Sequence, residues 1–268
     1  MKPQPLFHRP TGPAGEYAQL ALRGPYVGCA GVCRYCYNHL SHGIPLTKWT
    51  QARPMKDFLK RLEDAAPALM GDRRRVFMSF GCDPCQPCEE VHGLTAEALE
   101  RLAFYRLSPH LLTKFGRRAA RHFDALQRDP RARFWQTLTS LDPEQAARWE
   151  PGAAPPAERA LVQREAYERG IETGLSLEPT IYPAATLEII EVLGCITAHI
   201  SLGKLNHMTL GQVRAVDPAA HPVNWRAFLG QARRIFAAQG RLELRDPHQE
   251  VEPGMRTYYV KRDLRRAA

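Results

Sequence analysis

The chain has 268 residues and a formal net charge of +9, with 37 Lys and Arg residues against 28 Asp and Glu residues. This length is sufficient for one large α/β domain with a buried core. The sequence has no uninterrupted apolar run of about 18 residues and no apolar stretch behind Lys2, which argues against a membrane span and an export signal. We therefore expect a soluble, cytoplasmic protein, and the basic balance favours a polyanionic partner such as nucleic acid.

Strand-like apolar segments alternate with amphipathic helical segments along most of the chain. In chain order, the predicted strands are residues 18–27, 75–80, 110–114, 133–140, 171–178 and 195–202. The predicted helices that follow them are residues 54–66, 95–106, 118–128, 156–169, 184–193 and 224–238. Six βα units in succession predict a parallel sheet, in which active residues lie at the carboxyl ends of the strands.

The last part of the sequence departs from this alternation. Residues 241–268 contain two short strand-like segments, which predict a small hairpin or additional strands. We interpret residues 1–240 as the core and residues 241–268 as a C-terminal extension that is not an independent domain.

Six of the seven cysteines form two tight clusters, at residues 29, 33 and 36 and at residues 82, 85 and 88. Two clusters of three fit neither an even disulfide framework nor a secreted scaffold, so they indicate metal ligands in a reducing compartment. Cys195 stands alone and is interpreted as a core residue at the start of the last predicted strand.

Cys29, Cys33 and Cys36 form a C-x3-C-x2-C triplet on a loop that follows the first predicted strand. Three thiolates can hold three irons of a [4Fe-4S] cluster and leave the fourth iron without a protein ligand, where a substrate or cofactor can bind. The alternative is a tetrahedral Cys3His zinc site completed by His39.

The triplet, with Tyr35 before its last cysteine, resembles the signature of the radical S-adenosylmethionine (radical SAM) superfamily. The resemblance implies that the open iron chelates S-adenosyl-L-methionine, and that reduction yields a 5′-deoxyadenosyl radical that abstracts hydrogen from a substrate. It also implies an electron donor of the flavodoxin or ferredoxin type. The fold it implies is a partial (β/α)6 barrel, with the cluster loop after the first strand, which agrees with the six predicted units.

Residues 79–89 contain the second cysteine cluster and follow the second predicted strand. Together with residues 112–114, 136–140 and 174–179, they resemble the spore photoproduct lyase-like branch, whose second strand ends in a pattern like S-x-x-T-D-P-Y-Q-P-x-E. Residues that stand as in that pattern are Asp83, Pro84, Gln86, Pro87 and Glu89. Cys82 replaces the Thr and Cys85 replaces the Tyr. The resemblance implies a lyase-like reaction on nucleic acid. Because Cys82 and Cys85 depart from the pattern, a peptide or small metabolite is the alternative substrate.

Cys82, Cys85 and Cys88 are candidate catalytic residues with more than one interpretation. Their spacing suits a second iron–sulfur or zinc site, to which His92 could contribute. A thiol in the pocket could instead donate a hydrogen atom to a substrate radical. The remaining interpretation is that the three are small residues packed in the core.

The resemblance also nominates residues for binding S-adenosylmethionine. Ser79 and Asp83 are expected to hold the methionine amino group and Lys114 its carboxylate. The residues expected at the ribose and adenine are Thr139, Ser140, Tyr35 and Tyr37, with Glu178 as a further candidate. A structural ion pair between Lys114 and Glu178 is the alternative.

Two histidines and several basic clusters complete the candidates. We interpret His199 as a hydrogen-bonded core residue and His207 as a candidate on the substrate side. The basic clusters are residues 73–75, 117–118, 131 and 133, 233–234 and 261–266. Because the sequence contains no P-loop, dinucleotide fingerprint or nucleophile elbow, nucleotide hydrolysis and serine hydrolysis find no support. A non-catalytic zinc protein that binds nucleic acid is the alternative from another functional class.

Overall fold

A computed structural model describes residues 4–78, 80–220, 223–252 and 254–268. Its strands are β1 (Phe7–His8), β2 (Leu20–Leu22), β3 (Tyr26–Val27), β4 (Arg53–Pro54), β5 (Val76–Met78), β6 (Pro109–Thr113), β7 (Arg133–Thr137), β8 (Glu172–Thr180), β9 (His199–Lys204), β10 (Leu242–Glu243) and β11 (Thr257–Val260). Its first helices are α1 (Asn38–Ser41), α2 (Leu46–Trp49), α3 (Phe58–Ala65), α4 (Glu89–His92), α5 (Leu94–Phe104), α6 (Arg117–Ala120) and α7 (Phe123–Gln127). They are followed by α8 (Pro143–Trp149), α9 (Pro156–Glu168), α10 (Pro183–Leu193), α11 (Leu210–Val216), α12 (Trp225–Ala238) and α13 (Arg262–Ala267), and 3-10 helices cover Gly12–Glu16, Ala66–Leu69 and Gly194–Ile196.

One sheet organises the molecule, in the order β1-β2-β5-β6-β7-β8-β9-β11-β10. All neighbouring strands are parallel except β1, which pairs antiparallel with β2. The strands β2 and β5 to β9 are the six that the sequence predicts, and they lie side by side in chain order. Within the described residues, β1 and β10 do not pair with each other, so the sheet is open. A two-stranded antiparallel ribbon, β3 with β4, stands beside it.

The central strands are buried along nearly their whole length, because helices cover a parallel sheet. One apolar cluster packs α3, α5 and α7 against the first half of the sheet, and another packs α10 and α12 against the second half. Gly170 follows α9 with φ +76°, the left-handed conformation in which glycine commonly ends a helix. No helix in the described residues has the length and apolarity that a membrane span needs.

The C-terminal extension adds parallel strands and does not form a hairpin. β11 pairs with β9, with Thr257 opposite His199, and β10 joins the outer side of β11. A hairpin would need antiparallel neighbours joined by a tight turn, whereas β10 and β11 are parallel. His199 bonds to Glu172 at 2.7 Å and to Thr257, which confirms it as a hydrogen-bonded core residue.

Two other predictions about elements are wrong. The predicted helix over residues 118–128 is divided into α6 and α7, because i to i−3 hydrogen bonds such as His122 N–H to the Ala119 carbonyl tighten the chain between them. Cys195 is not a core residue at a strand start, since it lies exposed in the 3-10 helix that precedes β9.

Candidate active site

The cysteine loop, residues 29–36, lies at the carboxyl ends of the strands. Cys29, Cys33 and Cys36 line one cavity of about 220 Å³, which we call the cysteine cavity. The rest of its wall comes from the loop after β5, the end of β6 and the end of β7: Phe80, Cys82, Asp83, residues 112–115 and Thr137. The parallel sheet therefore brings the first cysteine cluster and three successive strand ends to one place, as predicted.

Gln86 fixes the start of the cysteine loop from the second cysteine segment. Its buried amide accepts a hydrogen bond from Ala30 N–H at 2.9 Å and donates one to the Gly28 carbonyl at 3.2 Å. Both partners flank Cys29, so a single side chain holds the backbone on each side of the first thiol. The sequence pattern contains Gln86 but gives no indication of this contact, which joins residues far apart in the chain.

The last residue of α8 and the segment after it also hold this loop. Arg34 N–H donates to the Trp149 carbonyl at 2.8 Å, and Gly152 N–H donates to the Gly31 carbonyl at 3.0 Å. A Cβ on Gly152 would lie 2.0 Å from the Ala30 carbonyl oxygen, so only glycine permits this approach. No pattern in the sequence indicates this contact.

A buried ion pair adjoins the loop. Glu150 Oε2 and Arg159 Nη1 are 2.7 Å apart, with side chains 0% and 1% exposed. The Tyr35 hydroxyl donates to the other oxygen of Glu150. Because Tyr35 lies between Cys33 and Cys36, the ion pair is connected directly to the cysteine loop.

Asp83 ties two strand ends together at the cavity wall. Its carboxylate accepts hydrogen bonds from Thr113 Oγ1 at 2.7 Å, from Cys85 N–H at 2.9 Å and from Lys114 N–H at 2.8 Å. Burial raises the pKa of Asp83 and these hydrogen bonds oppose that shift. Asp83 therefore presents a carboxyl group to the cavity in a fixed orientation.

Lys114 lies at the end of β6 with its ammonium group 5.8 Å from the centre of the Tyr35 ring. Within the described residues no carboxylate is at ion-pair distance from it. The alternative pairing with Glu178 is wrong, since Glu178 instead binds the buried Lys261 at 2.9 Å and accepts the Tyr17 hydroxyl at 2.6 Å. Lys114 is thus a cation on the wall of the cysteine cavity without a bound carboxylate from the described chain.

A second cavity, of about 170 Å³, adjoins the first. The two share Tyr35, Tyr37 and Phe80 as lining residues. Polar residues on the wall of the second cavity are Tyr17, Glu178, Lys204, Asn206, His207 and Lys261. His207 is exposed and its ring lies against Tyr37, with centroids 4.3 Å apart. Its place on the substrate side stays a prediction.

The other predicted cofactor residues are placed differently. Thr139 and Ser140 are buried in the loop after β7 and do not line the cysteine cavity. The Ser140 hydroxyl bonds to Gln145 Oε1 at 2.8 Å and accepts Asp142 N–H at 3.0 Å, so it shapes the start of α8. Thr137, the last residue of β7, does line the cavity, and its position at a strand end is the signal that could have identified it. Ser79 lies outside the described residues.

The second cysteine cluster is not gathered at one point. Cys82 lines the cysteine cavity, Cys85 packs in the apolar core, and Cys88 precedes α4. Within the described residues, no group of three Cys, His, Asp or Glu side chains is arranged to hold a single metal ion. This applies to both proposed zinc groups, those completed by His39 and by His92. A [4Fe-4S] cluster makes a different demand, because each thiolate binds a separate iron.

Burial affects the thiols of the first cluster. It raises the pKa of Cys29 to about 12 and also raises the pKa of Cys33. Without a bound group these thiols therefore hold their protons, and metal binding would release them. A cavity lined by three thiols, with a carboxylate and an ammonium group nearby, fits an iron–sulfur cluster together with a zwitterionic ligand.

Glu89 belongs to the pattern over residues 79–89, and its contacts give it a structural role. Its carboxylate accepts Thr95 N–H at 2.8 Å and Ala96 N–H at 3.0 Å, which are free donors at the start of α5. The Tyr26 hydroxyl donates to it as well. Glu89 therefore caps α5 and connects it to β3, away from the cavity.

No protein-family model and no curated protein sequence matches the chain. Solved structures do: a spore photoproduct lyase variant with bound AdoMet and dinucleoside spore photoproduct is similar, with TM-score 0.63 and 17% identity, over 91% of this chain and 76% of that chain. SuiB from Streptococcus suis bound to S-adenosylmethionine has TM-score 0.63 and 10% identity over 91% of this chain and 50% of its own. SuiB bound to precursor peptide SuiA has TM-score 0.61 and 12% identity over 91% and 49%. The chain thus spans about half the length of SuiB. This chain therefore shares its fold, the partial (β/α)6 barrel that the sequence predicts, with these solved structures.

Proposed function

We propose that the protein is a radical SAM enzyme, in which Cys29, Cys33 and Cys36 hold a [4Fe-4S] cluster. The observation that supports this proposal is the position of the three thiols, which line one cavity at the carboxyl edge of the sheet together with Asp83 and Lys114. When bound, the cluster and S-adenosylmethionine would supply the electron and the hydrogen-abstracting radical. A flavodoxin or ferredoxin type protein would be the electron source.

The residues on the cavity walls can grip S-adenosylmethionine by complementary charge. The Lys114 ammonium suits the methionine carboxylate, because a cation away from bulk water is stabilised by an anionic partner. The Asp83 carboxylate suits the amino group. Thr137 takes the place proposed for Thr139 or Ser140 at the ribose, and Tyr35 and Tyr37 offer aromatic surface to the adenine, with Glu178 beyond them.

The substrate would occupy the second cavity and the space that opens from it. The two neighbours differ in what their structures contain, a dinucleoside photoproduct in one and a precursor peptide in the other. The fold therefore does not choose between nucleic acid, which the basic composition favours, and a peptide or small metabolite. A lyase-like reaction belongs to the first of these alternatives.

Cys82 is the residue of the second cluster that we propose as the hydrogen donor. It lines the cysteine cavity, whereas Cys85 packs in the core. Burial raises the pKa of Cys82 well above its usual value, so its sulfur keeps the hydrogen that a donor needs. The competing hypothesis, a second metal site at Cys82, Cys85 and Cys88, requires side chains from three different environments to converge.

Iron and zinc analysis of a Cys82→Ala/Cys85→Ala/Cys88→Ala variant separates these hypotheses. If the cysteines donate hydrogen, we expect about four irons per chain in both wild type and variant, with 5′-deoxyadenosine formed by both. The Cys82→Ala single variant should then lose product as the triple variant does, while Cys88→Ala keeps it. A second cluster predicts instead about eight irons in wild type and four in the triple variant. Unchanged metal content and unchanged turnover would leave these residues with a packing role.

The proposed function is tested with wild-type protein reconstituted anaerobically and reduced. We expect it to be brown and to cleave S-adenosylmethionine to 5′-deoxyadenosine and methionine, quantified by chromatography. A colourless protein that contains zinc and forms no 5′-deoxyadenosine would support the non-catalytic zinc alternative.

A further inference from the structure

A third and larger cavity, of about 690 Å³, lies beside the cysteine loop. Part of its wall comes from the residues that follow β1 and β2 and from α3, and we call it the arginine cleft after Arg9, Arg23 and Arg61. It shares Tyr37 and Phe80 with both of the other cavities. The cleft and the cysteine cavity therefore adjoin at these residues.

The charge on this wall is of one sign. The residues that line the cleft include three arginines, with His8 and His42, and none of them is Asp or Glu. Arg23 is also close enough to Arg61 for repulsion between them to lower the pKa of Arg23, after the larger effect of desolvation. An unbalanced cluster of guanidinium groups around a cavity attracts anions.

Ion pairing distinguishes the three cleft arginines from many of the arginines in the basic clusters of the sequence. Many residues of the basic clusters that the sequence offered as polyanion contacts are paired with carboxylates, as in Arg74–Asp72, Arg75–Glu172, Arg117–Glu165, Arg118–Glu90, Arg133–Glu172 and Arg233–Glu243. The residues of these clusters that form no ion pair among the described residues are Arg73, Arg131, Arg234, Arg262 and Arg266. Arg9, Arg23 and Arg61 have no carboxylate at ion-pair distance among the residues that the structure describes. Uncompensated positive charge is thus found at the cleft that borders the proposed site.

The bonds that these arginines do make leave most of their donors free. Arg23 Nε donates to the Pro5 carbonyl at 3.1 Å. Arg61 Nη2 donates to the Gln4 carbonyl at 2.9 Å, and its Nη1 donates to Met55 Sδ at 3.3 Å. Each guanidinium has five N–H donors in a planar arrangement that matches two oxygens of a phosphate. Trp49 and Phe80 also line the cleft and provide apolar aromatic surface next to the charged groups.

We propose that the arginine cleft binds phosphate groups of the substrate. The identification of this ligand as the substrate rests on the proposed function, whereas phosphate binding itself does not. Arg23 and Arg61 would hold the phosphate on the inner wall, and the exposed Arg9 would bind at the entrance. The shared lining residues, Tyr37 and Phe80, would then direct the rest of the ligand toward Cys82.

The test is binding of a fluorescein-labelled single-stranded oligothymidylate to anaerobically purified protein, followed by fluorescence anisotropy over a salt series. For Arg9→Gln/Arg23→Gln we expect about a tenfold weaker affinity and a log–log salt slope smaller in magnitude by about 1.4, at about 0.7 for each phosphate that is no longer neutralised. Arg128→Gln/Arg233→Gln removes the same charge from two exposed ion pairs and should leave both quantities unchanged. Arg9→Gln alone breaks no hydrogen bond or ion pair among the described residues, so this variant should fold normally.

Inorganic pyrophosphate, added as a competitor and tested alone by thermal stabilisation, identifies the source of the phosphate. Displacement of the oligothymidylate by pyrophosphate supports a phosphodiester ligand in the cleft. Stabilisation by pyrophosphate that Arg9→Gln/Arg23→Gln abolishes, without oligothymidylate binding, supports a small phosphorylated substrate. Absence of binding by both probes, or equal losses in the cleft and control variants, overturns the proposal. Cleavage of S-adenosylmethionine is assayed separately, so its failure would contradict the proposed function and leave the binding result intact.

Discussion

Replacing any one of Cys29, Cys33 or Cys36 with Ala is expected to abolish the formation of 5′-deoxyadenosine from S-adenosylmethionine. Each thiolate would bind a different iron, and the triplet has no spare cysteine on the loop, so removing one ligand disrupts the whole cluster. The variants should also contain fewer irons per chain than wild type after identical reconstitution. Chromatography of the products and iron analysis of the same samples measure both effects.

Cys195→Ala is the matched control for these variants. Cys195 is an exposed cysteine that lines none of the three cavities. Its replacement removes one thiol from the protein and should leave iron content and product formation unchanged. If all three loop variants still formed 5′-deoxyadenosine at the wild-type rate, the assignment of the cysteine loop would be wrong.

Glu150→Gln should destabilise the fold by about 3–5 kcal/mol, since it leaves the buried guanidinium of Arg159 without its counter-charge. The free energy of unfolding in urea measures this loss. The Tyr35 hydroxyl also donates to Glu150, so the variant should lose iron from the cysteine loop at lower urea concentrations than wild type. Following iron release together with the unfolding signal distinguishes a local effect on the loop from global unfolding.

The control is Glu100→Gln, the same chemical change at an exposed ion pair. Glu100 binds Arg128, and the two side chains are 55% and 61% exposed. Such pairs contribute about 0–1 kcal/mol, because water screens them and both side chains lose freedom when they pair. Equal losses of stability in Glu150→Gln and Glu100→Gln would contradict the importance that we assign to the buried pair.

The parts of the fold and site that sequence could predict are those encoded locally. Alternating strand and helix patterns give the order of the six central strands, because successive βα units place their strands side by side. The same rule brings Cys82, Asp83 and Lys114 to the edge of the sheet that carries the cysteine loop. The resemblance of the triplet to the radical SAM signature predicts the type of site, and this assignment stays a prediction.

The contacts that position the site could not be predicted, since they join distant residues by side-chain geometry. Gln86 bonds on both sides of Cys29, and Gly152 fits against Ala30. Nothing in the local pattern around either residue indicates its partner. The sequence also does not show which basic side chains lack an ion pair. It gives the number of basic residues, but not which of them lie next to a carboxylate. Arg23 and Arg61 belong to no basic cluster in the sequence, yet they lie on the same cavity wall.

The residues that surround the cysteine loop, and those of β11 and the segment after it, are synthesised at different times. The cysteine loop is synthesised before Gln86 and Gly152, and Lys261 follows all of them. The chain is synthesised from its amino terminus. The three thiols therefore leave the ribosome before Gln86 and Gly152, which hold the loop, have been added. A nascent chain can therefore present these thiols on a loop that Gln86 and Gly152 do not yet hold. Lys261, which pairs with Glu178 on the wall of the second cavity, is added only after Gln86 and Gly152.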